Sequence, residues 1–202
     1  MRTKHGRGGT PATAALTRAG IAFTTHAYVH DPLATSYGLE AAAALGLPPR
    51  QVFKTLVVDV EGGREFVAVG IVPVDRSLDL KAVAAALGAK RATMAAPDVA
   101  ARVTGYVVGG ISPLGQKRAL PTVLDASAAA YDQIYVSGGR RGFDIGLAPA
   151  DLLTLTRGTS AAIDQGIGSV PTSGSKTIAP SIGVPYNLTV TGPQAKGHLR
   201  VY

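Results

Sequence analysis

Val52-Phe53-Lys54-Thr55-Leu56-Val57-Val58, VFKTLVV, reads as a buried strand with one intruder. Side chains alternate faces along a strand, so Val52, Lys54, Leu56, Val58 and Val60 share a side that is otherwise aliphatic. Two readings of Lys54 follow. It is an edge-strand lysine whose stem snorkels to water, or a cationic head in a mostly apolar pocket. In the second case burial lowers its pKa, and a phosphate, carboxylate or carbonyl oxygen is its partner. A strand this hydrophobic is poorly suited to an exposed edge, which favours the pocket.

Outward from this strand, Glu61-Gly62-Gly63 is a turn into a second apolar strand over 65–72, the pattern of a hairpin. Upstream, Thr10-Pro11 caps and starts a short helix that Gly20 closes, and a strand is expected over 21–30. The spacing predicts a helix over 37–45, ended by Gly46 and Pro48-Pro49. Downstream, Leu80, Val83, Ala84 and Leu87 line one face of a helix stopped by Gly88. Short strands are expected over 106–108, 122–124, 134–136 and 143–147, then a helix from Pro149 to near Thr156. Strands and helices without regular βαβ alternation predict an α+β fold.

Near Gly158 the composition turns to Gly, Pro, Ser and Thr. The sequence divides into a flexible N-terminus over 1–9, a domain over 10–157 and a tail over 158–202, with 159–178 as linker and 179–202 as a β fragment lacking partners. The Asn187-Leu188-Thr189 sequon is a chance match.

The 202 residues, 46% apolar and 16% charged, describe a globular chain. With four Phe, seven Tyr and no Trp, its core must be filled by Ala, Val and Leu. A net charge of +7 points to a polyanionic partner. The absence of cysteine excludes disulfides, thiolate metal sites and a cysteine nucleophile. No apolar run reaches the roughly 20 residues that span a bilayer, so no membrane association is expected. The opening MRTKHGRGG has no apolar segment behind it, so a cytoplasmic location is expected.

Three further stretches carry chemistry. In Thr104-Gly105-Tyr106-Val107-Val108-Gly109-Gly110-Ile111-Ser112-Pro113, paired glycines leave backbone N–H groups open to an oxyanion, or simply mark a tight bend. Ser137-Gly138-Gly139-Arg140-Arg141-Gly142-Phe143-Asp144 is a turn suited to phosphate contacts, or a solvated hairpin tip. Lys117-Arg118 and Lys90-Arg91 add basic patches. His26 and His30 fall on one face of the expected strand, too far apart for easy chelation, and no metal site or cofactor is expected. With no GxSxG elbow or Ser-His-Asp order, an enzyme of this kind takes its nucleophile from water or from the substrate.

Taken in order, TPA (10–12), HAYVHDP (26–32), YGLEAAAALGLP (37–48), VFKTLV (52–57), LDLKAVAAALGAK (78–90), TGYVVGGISPLGQK (104–117), LPTVLD (120–125) and YVSGGRRGFDIGLAP (135–149) resemble the YbaK/EbsC family of aminoacyl-tRNA editing proteins, in its Cys-tRNA(Pro) deacylase branch. The resemblance implies a single compact mixed β-sheet, partly barrel-like and flanked by helices. It implies deacylation in trans of proline-specific tRNA mischarged with cysteine, with the tRNA acceptor end as partner and a transient complex with prolyl-tRNA synthetase. It makes Lys54 and Gly109 the catalytic candidates, with Tyr28, Tyr37, Thr55, Gly110, Ile111, Ser112, Ser137 and Asp144 as substrate-binding candidates. Lys117, Arg118, Arg140 and Arg141 are the candidate tRNA contacts. Position 37 is tyrosine where well-known members carry phenylalanine, an added hydroxyl that would alter pocket size or polarity. The family chemistry lets the thiol of the substrate cysteine attack its own ester carbonyl, so the protein places the thiol and stabilises the carbonyl oxygen. Two other readings stand beside it: an Ala-tRNA(Pro) editor that uses water, and a non-catalytic tRNA- or synthetase-binding module.

Overall fold

The structure, a computed structural model, describes residues 9–166. The expectations for 167–202, the β fragment among them, and for 1–8 lie outside the described residues.

Helix α1 (Pro11–Ala19) begins where Thr10 and Pro11 place it. The Thr13 N–H donates to Thr10 Oγ1 at 3.2 Å, and the Thr10 N–H donates to Thr13 Oγ1 at 2.9 Å, a reciprocal cap. Strand β1 (Thr24–Ala27) is shorter than the expected 21–30. Helix α2 (Tyr37–Leu45) keeps its predicted bounds and ends at Gly46, whose φ of 65° is left-handed. The decisive stretch opens β2 (Val52–Glu61), which forms a hairpin with β3 (Val67–Pro73) in a register that sets Lys54 opposite Val72. Next come β4 (Arg76–Leu78), α3 (Leu80–Ala86), β5 (Arg91–Met94) and α4 (Pro97–Thr104). The chain continues through β6 (Thr122–Asp125), β7 (Ile134–Arg140), β8 (Phe143–Leu147), α5 (Pro149–Thr156), β9 (Thr159–Ala161) and β10 (Asp164–Gly166).

The sheet runs β1-β8-β7-β2-β3-β6-β9, with β5 also paired to β2, while β10 pairs with β4 separately. It mixes parallel and antiparallel pairs, as the α+β reading expects. Among the described residues its path has two free ends, so the sheet does not close into a complete barrel. One edge of β2 is shared. Val52 and Phe53 pair with β7, and Val58 to Glu61 pair with β5. Between these pairings, Lys54 to Leu56 have no strand partner on that edge among the described residues. Two strands diverging from one leave a gap in the sheet, and the gap falls at the lysine.

Packing repeats this division. Phe53 and Val57 enter the main core with Ile71, Val136 and Ile145. On the other face, Val58 and Val60 join a cluster with Val83 and Ala84 of α3, whereas Val52 joins Ala41 and Ala42 of α2. Lys54 stands between the two clusters on its face, so the aliphatic row is interrupted where the packing is interrupted.

Two expectations are corrected, and one helix is added. Val107 and Val108 are not in a strand: Gly105 closes α4 at φ 78°, and the buried Tyr106 hydroxyl donates to the Leu114 carbonyl at 2.7 Å. Helix α4 itself has so short an apolar pattern that only Pro97 announces it. Residues 159–166 are not linker. β9 pairs in parallel with β6, β10 pairs with β4, and Ile163 between them is fully buried. The Asp125 carboxylate accepts the Ile163 and Asp164 N–H groups at 2.8 and 2.9 Å, which ties this segment to the domain.

Candidate functional site

The gap beside Lys54 opens into a cavity of about 380 Å³. Its walls come from β2 (Val52 to Val57), the start of α2 (Ser36 to Gly38), the end of β5 (Met94, Ala95), the 108–111 loop, and Ser137 and Asp144 of the β7–β8 hairpin. Tyr28, Tyr37, Lys54, Thr55, Gly109, Ile111, Ser137 and Asp144 all line it, so segments distant in sequence meet around one space.

Lys54 is half-buried, and its Nζ donates to the Val74 carbonyl at 3.3 Å. Burial pushes its pKa down, and the negative charge of Asp75 opposes that fall. β2 lies inside the sheet between β7 and β3, so Lys54 is not an edge-strand lysine. Thr55 Oγ1, beside it in sequence, is buried without a hydrogen-bond partner among the described residues. A buried hydroxyl left unpaired is costly unless a ligand or water completes it.

Asp144 is 5% exposed, and burial pushes its carboxyl up to about 7. It lies opposite Ser137 on β7 and opposite His26 on β1, so the middle strand of three carries it. The Tyr28 hydroxyl is pushed up to about 12 by burial first, then by the charges of Asp144 and Glu40. Tyr28 therefore stays a neutral phenol at physiological pH. Ser137 Oγ accepts the Gly139 N–H at 3.3 Å.

The 107–110 segment is a tight turn in which the Gly110 N–H donates to the Val107 carbonyl at 2.9 Å. Gly109 holds φ 86°, and a Cβ there would lie 2.8 Å from the Tyr37 ring. Glycine is required on both counts. The Gly109 and Ile111 N–H groups have no acceptor among the described residues, so both main-chain donors are open. Gly110 is not: its N–H closes the turn, and its Cα packs against the Arg140 backbone outside the cavity wall. Ser112 is also corrected. It is fully buried, and its Oγ accepts the Leu114 N–H at 3.3 Å, so it shapes the loop without lining the cavity.

Arg141 has a double role that its sequence context hides. Its Nε and Nη2 donate to the Val108 carbonyl at 3.1 and 2.9 Å, and its guanidinium lies 5.0 Å from the Tyr37 ring centroid. The ring of His30 lies 5.6 Å from Tyr37, and His30 Nδ1 lies 2.9 Å from the Glu40 carboxylate. Tyr37 is thus fixed between a histidine and an arginine, with Gly109 against its ring. Arg140 is exposed, with its guanidinium 4.6 Å from the Phe143 ring centroid. Lys117 and Arg118 are exposed elsewhere: Lys117 follows α4, and Arg118 lies 3.9 Å from Glu65 and borders a separate groove.

Val74, Met94 and Ala95 line the cavity without any signal in the sequence. They arrive through β5 and the β3–β4 turn, whose short runs have no periodicity of their own. Among the described residues, no group of His, Cys, Asp and Glu is placed to hold a metal ion, and no helix is long and apolar enough to cross a membrane.

Comparison with known proteins places this cavity in context. The model of the aminoacyl-tRNA editing domain matches residues 30–155. A protein of Enterococcus faecalis named as a candidate Cys-tRNA(Pro)/Cys-tRNA(Cys) deacylase, EbsC, is 41% identical over 122 residues, covering 60% of this chain and 73% of that protein. The crystal structure of a candidate trans-editing enzyme for prolyl-tRNA synthetase is similar at a TM-score of 0.64 and 27% identity, over 77% of this chain and 96% of that one. A second solved structure, of a hypothetical protein, shares the fold at a TM-score of 0.68 and 23% identity, over 77% of this chain and all of the other (100%).

Proposed function

The chain belongs to the aminoacyl-tRNA editing domain family, and from that premise we propose that it deacylates Cys-tRNA(Pro), with Cys-tRNA(Cys) as a further substrate, by letting the substrate thiol act as nucleophile. The observation that carries this reading is a cavity lined by Lys54, Asp144, Thr55, Gly109 and Ile111, the last two with N–H groups unbonded among the described residues, and with no cysteine or histidine in its walls. In this reading the site positions and polarises, and the substrate supplies the attacking atom. The cysteine Sγ forms a bond to the ester carbonyl carbon, the bond from that carbon to the ribose oxygen breaks, and the thiol proton ends on the departing hydroxyl. A cyclic thioester and free tRNA result. The open N–H groups support the carbonyl oxygen as its charge develops, and the Lys54 ammonium supports the terminal ribose–phosphate or that same oxygen.

One observation favours a second reading. A carboxyl near 7 suits a general base, so Asp144 could activate water against Ala-tRNA(Pro). Single-turnover assays with Cys-tRNA(Pro), Ala-tRNA(Pro) and Ser-tRNA(Pro) separate them. Thiol attack leaves the alanyl and seryl esters nearly inert and yields a trappable thioester. Equal turnover of Ala-tRNA(Pro) refutes thiol attack, and salt-dependent tRNA binding without turnover refutes both.

A further inference from the structure

An ammonium carries three N–H donors. Among the described residues the Lys54 head uses one, toward the Val74 carbonyl at 3.3 Å. One residue further on, in the turn between β3 and β4, Asp75 has two unlike oxygens. Its Oδ2 accepts from Arg50 Nε at 2.7 Å. Its Oδ1 is buried and has no hydrogen-bond partner among the described residues. A buried carboxylate oxygen without a donor is costly, and a lysine with unused donors hangs from the adjoining carbonyl.

We propose that Asp75, held by Arg50, is a positioning residue that favours the ammonium form of Lys54 beside the Val74 carbonyl. The hairpin sets the three residues near one another, with Lys54 linked to the Asp75 turn through the Val74 carbonyl and not by a direct ion pair. Arg50 stands just before β2, Asp75 just after β3, and the Val74 N–H donates to the Val52 carbonyl at 2.8 Å, extending the ladder to both. Arg50 fixes the carboxylate from the solvent side, since its side chain is 52% exposed and that of Asp75 only 28%. The other titratable groups lining the cavity are Asp144 from β8, Tyr28, and Tyr37 from α2, and its uncharged polar groups are Ser36, Thr55 and Ser137. Met94 and Ala95, from the β5 side, carry no charge. Asp75 is the charge that offsets the burial of Lys54.

This inference rests on the reading of Lys54 as a functional group, and its test separates the two. Asp75→Asn removes the charge and keeps the shape. Side-chain NMR titration of Lys54 in the intact chain, read at Cε, should show its midpoint lower by roughly one pH unit in Asp75→Asn. Asp75→Glu should restore it. An unchanged midpoint in Asp75→Asn overturns the proposal. Should that variant fail to fold by circular dichroism, Asp75→Ser, equally suited to a turn, gives the same reading. Single-turnover deacylation of Cys-tRNA(Pro) is then followed against pH. If deacylation depends on Lys54, the alkaline limb of the rate profile moves to lower pH together with the NMR midpoint. A moved midpoint with an unmoved rate profile leaves the role of Asp75 standing and refutes Lys54 as the group on which deacylation depends.

Discussion

Lys54 and Asp144 line the same cavity, and burial acts on both toward neutrality: it lowers the pKa of the amine and raises that of the acid. Lys54→Ala should abolish single-turnover deacylation while leaving the circular dichroism spectrum unchanged, because the head has no packing role beyond one bond to Val74. Asp144 makes a prediction about stability. Its folded-state pKa, about 7, lies above the ordinary carboxyl value of 3.8, so the folded state holds the proton longer. Its contribution is therefore most favourable below pH 4, is lost as pH rises to 7, and stays lost above. Asp144→Asn should melt higher than the parent at pH 8, with the gap closing toward pH 4, and should bind substrate worse. Stability profiles that stay parallel across this range would refute the assignment. Tyr37→Phe deletes the hydroxyl while keeping the ring contacts to His30, Arg141 and Gly109. The Cys/Ala rate ratio of this variant reports whether that hydroxyl takes part in selectivity.

The cavity depends on two tight elements, the 107–110 turn and the β7–β8 hairpin tip, joined by the Arg141 fork on Val108. Gly109→Ala meets both a left-handed backbone and the Tyr37 ring, so it should destabilise by roughly 1–3 kcal/mol and lower deacylation by closing the cavity. Urea unfolding measures the first effect and single-turnover kinetics the second. Arg141→Lys keeps the charge but loses the fork, and should raise KM more than it lowers kcat. An equal effect from Arg140→Lys would show that charge alone matters at this tip. The glycine pairs of both elements were legible in the sequence as bends or as anion-binding loops. Their geometry was not, because a glycine pair does not say which amide closes a turn and which stays open.

For the molecule as a whole, the boundary at 158 is the clearest test. A chain ended after Arg157 loses β9, the fully buried Ile163 and the two donors to Asp125. Burial of one isoleucine stabilises by about 1.5–3 kcal/mol, and Asp125 Oδ2 without its two donors adds a further cost of about 1–3 kcal/mol, although Oδ1 keeps Ser127. Its Tm should fall by roughly 10 °C relative to a chain ended after Gly166, which keeps these contacts. Equal melting temperatures would restore the linker reading. By itself the sequence determined the helices over 11–19, 37–45 and 149–156, the β2–β3 hairpin and the anomaly of Lys54. Caps, turns and alternation act over a few residues and are written locally. Only the tertiary structure decided that β7 and β5 part along one edge of β2, that the gap falls at Lys54, and that Val74, Met94 and Asp144 line the cavity there. Those relations join residues up to ninety positions apart, and strands of three or four residues hold their places through pairing and burial that no local pattern encodes.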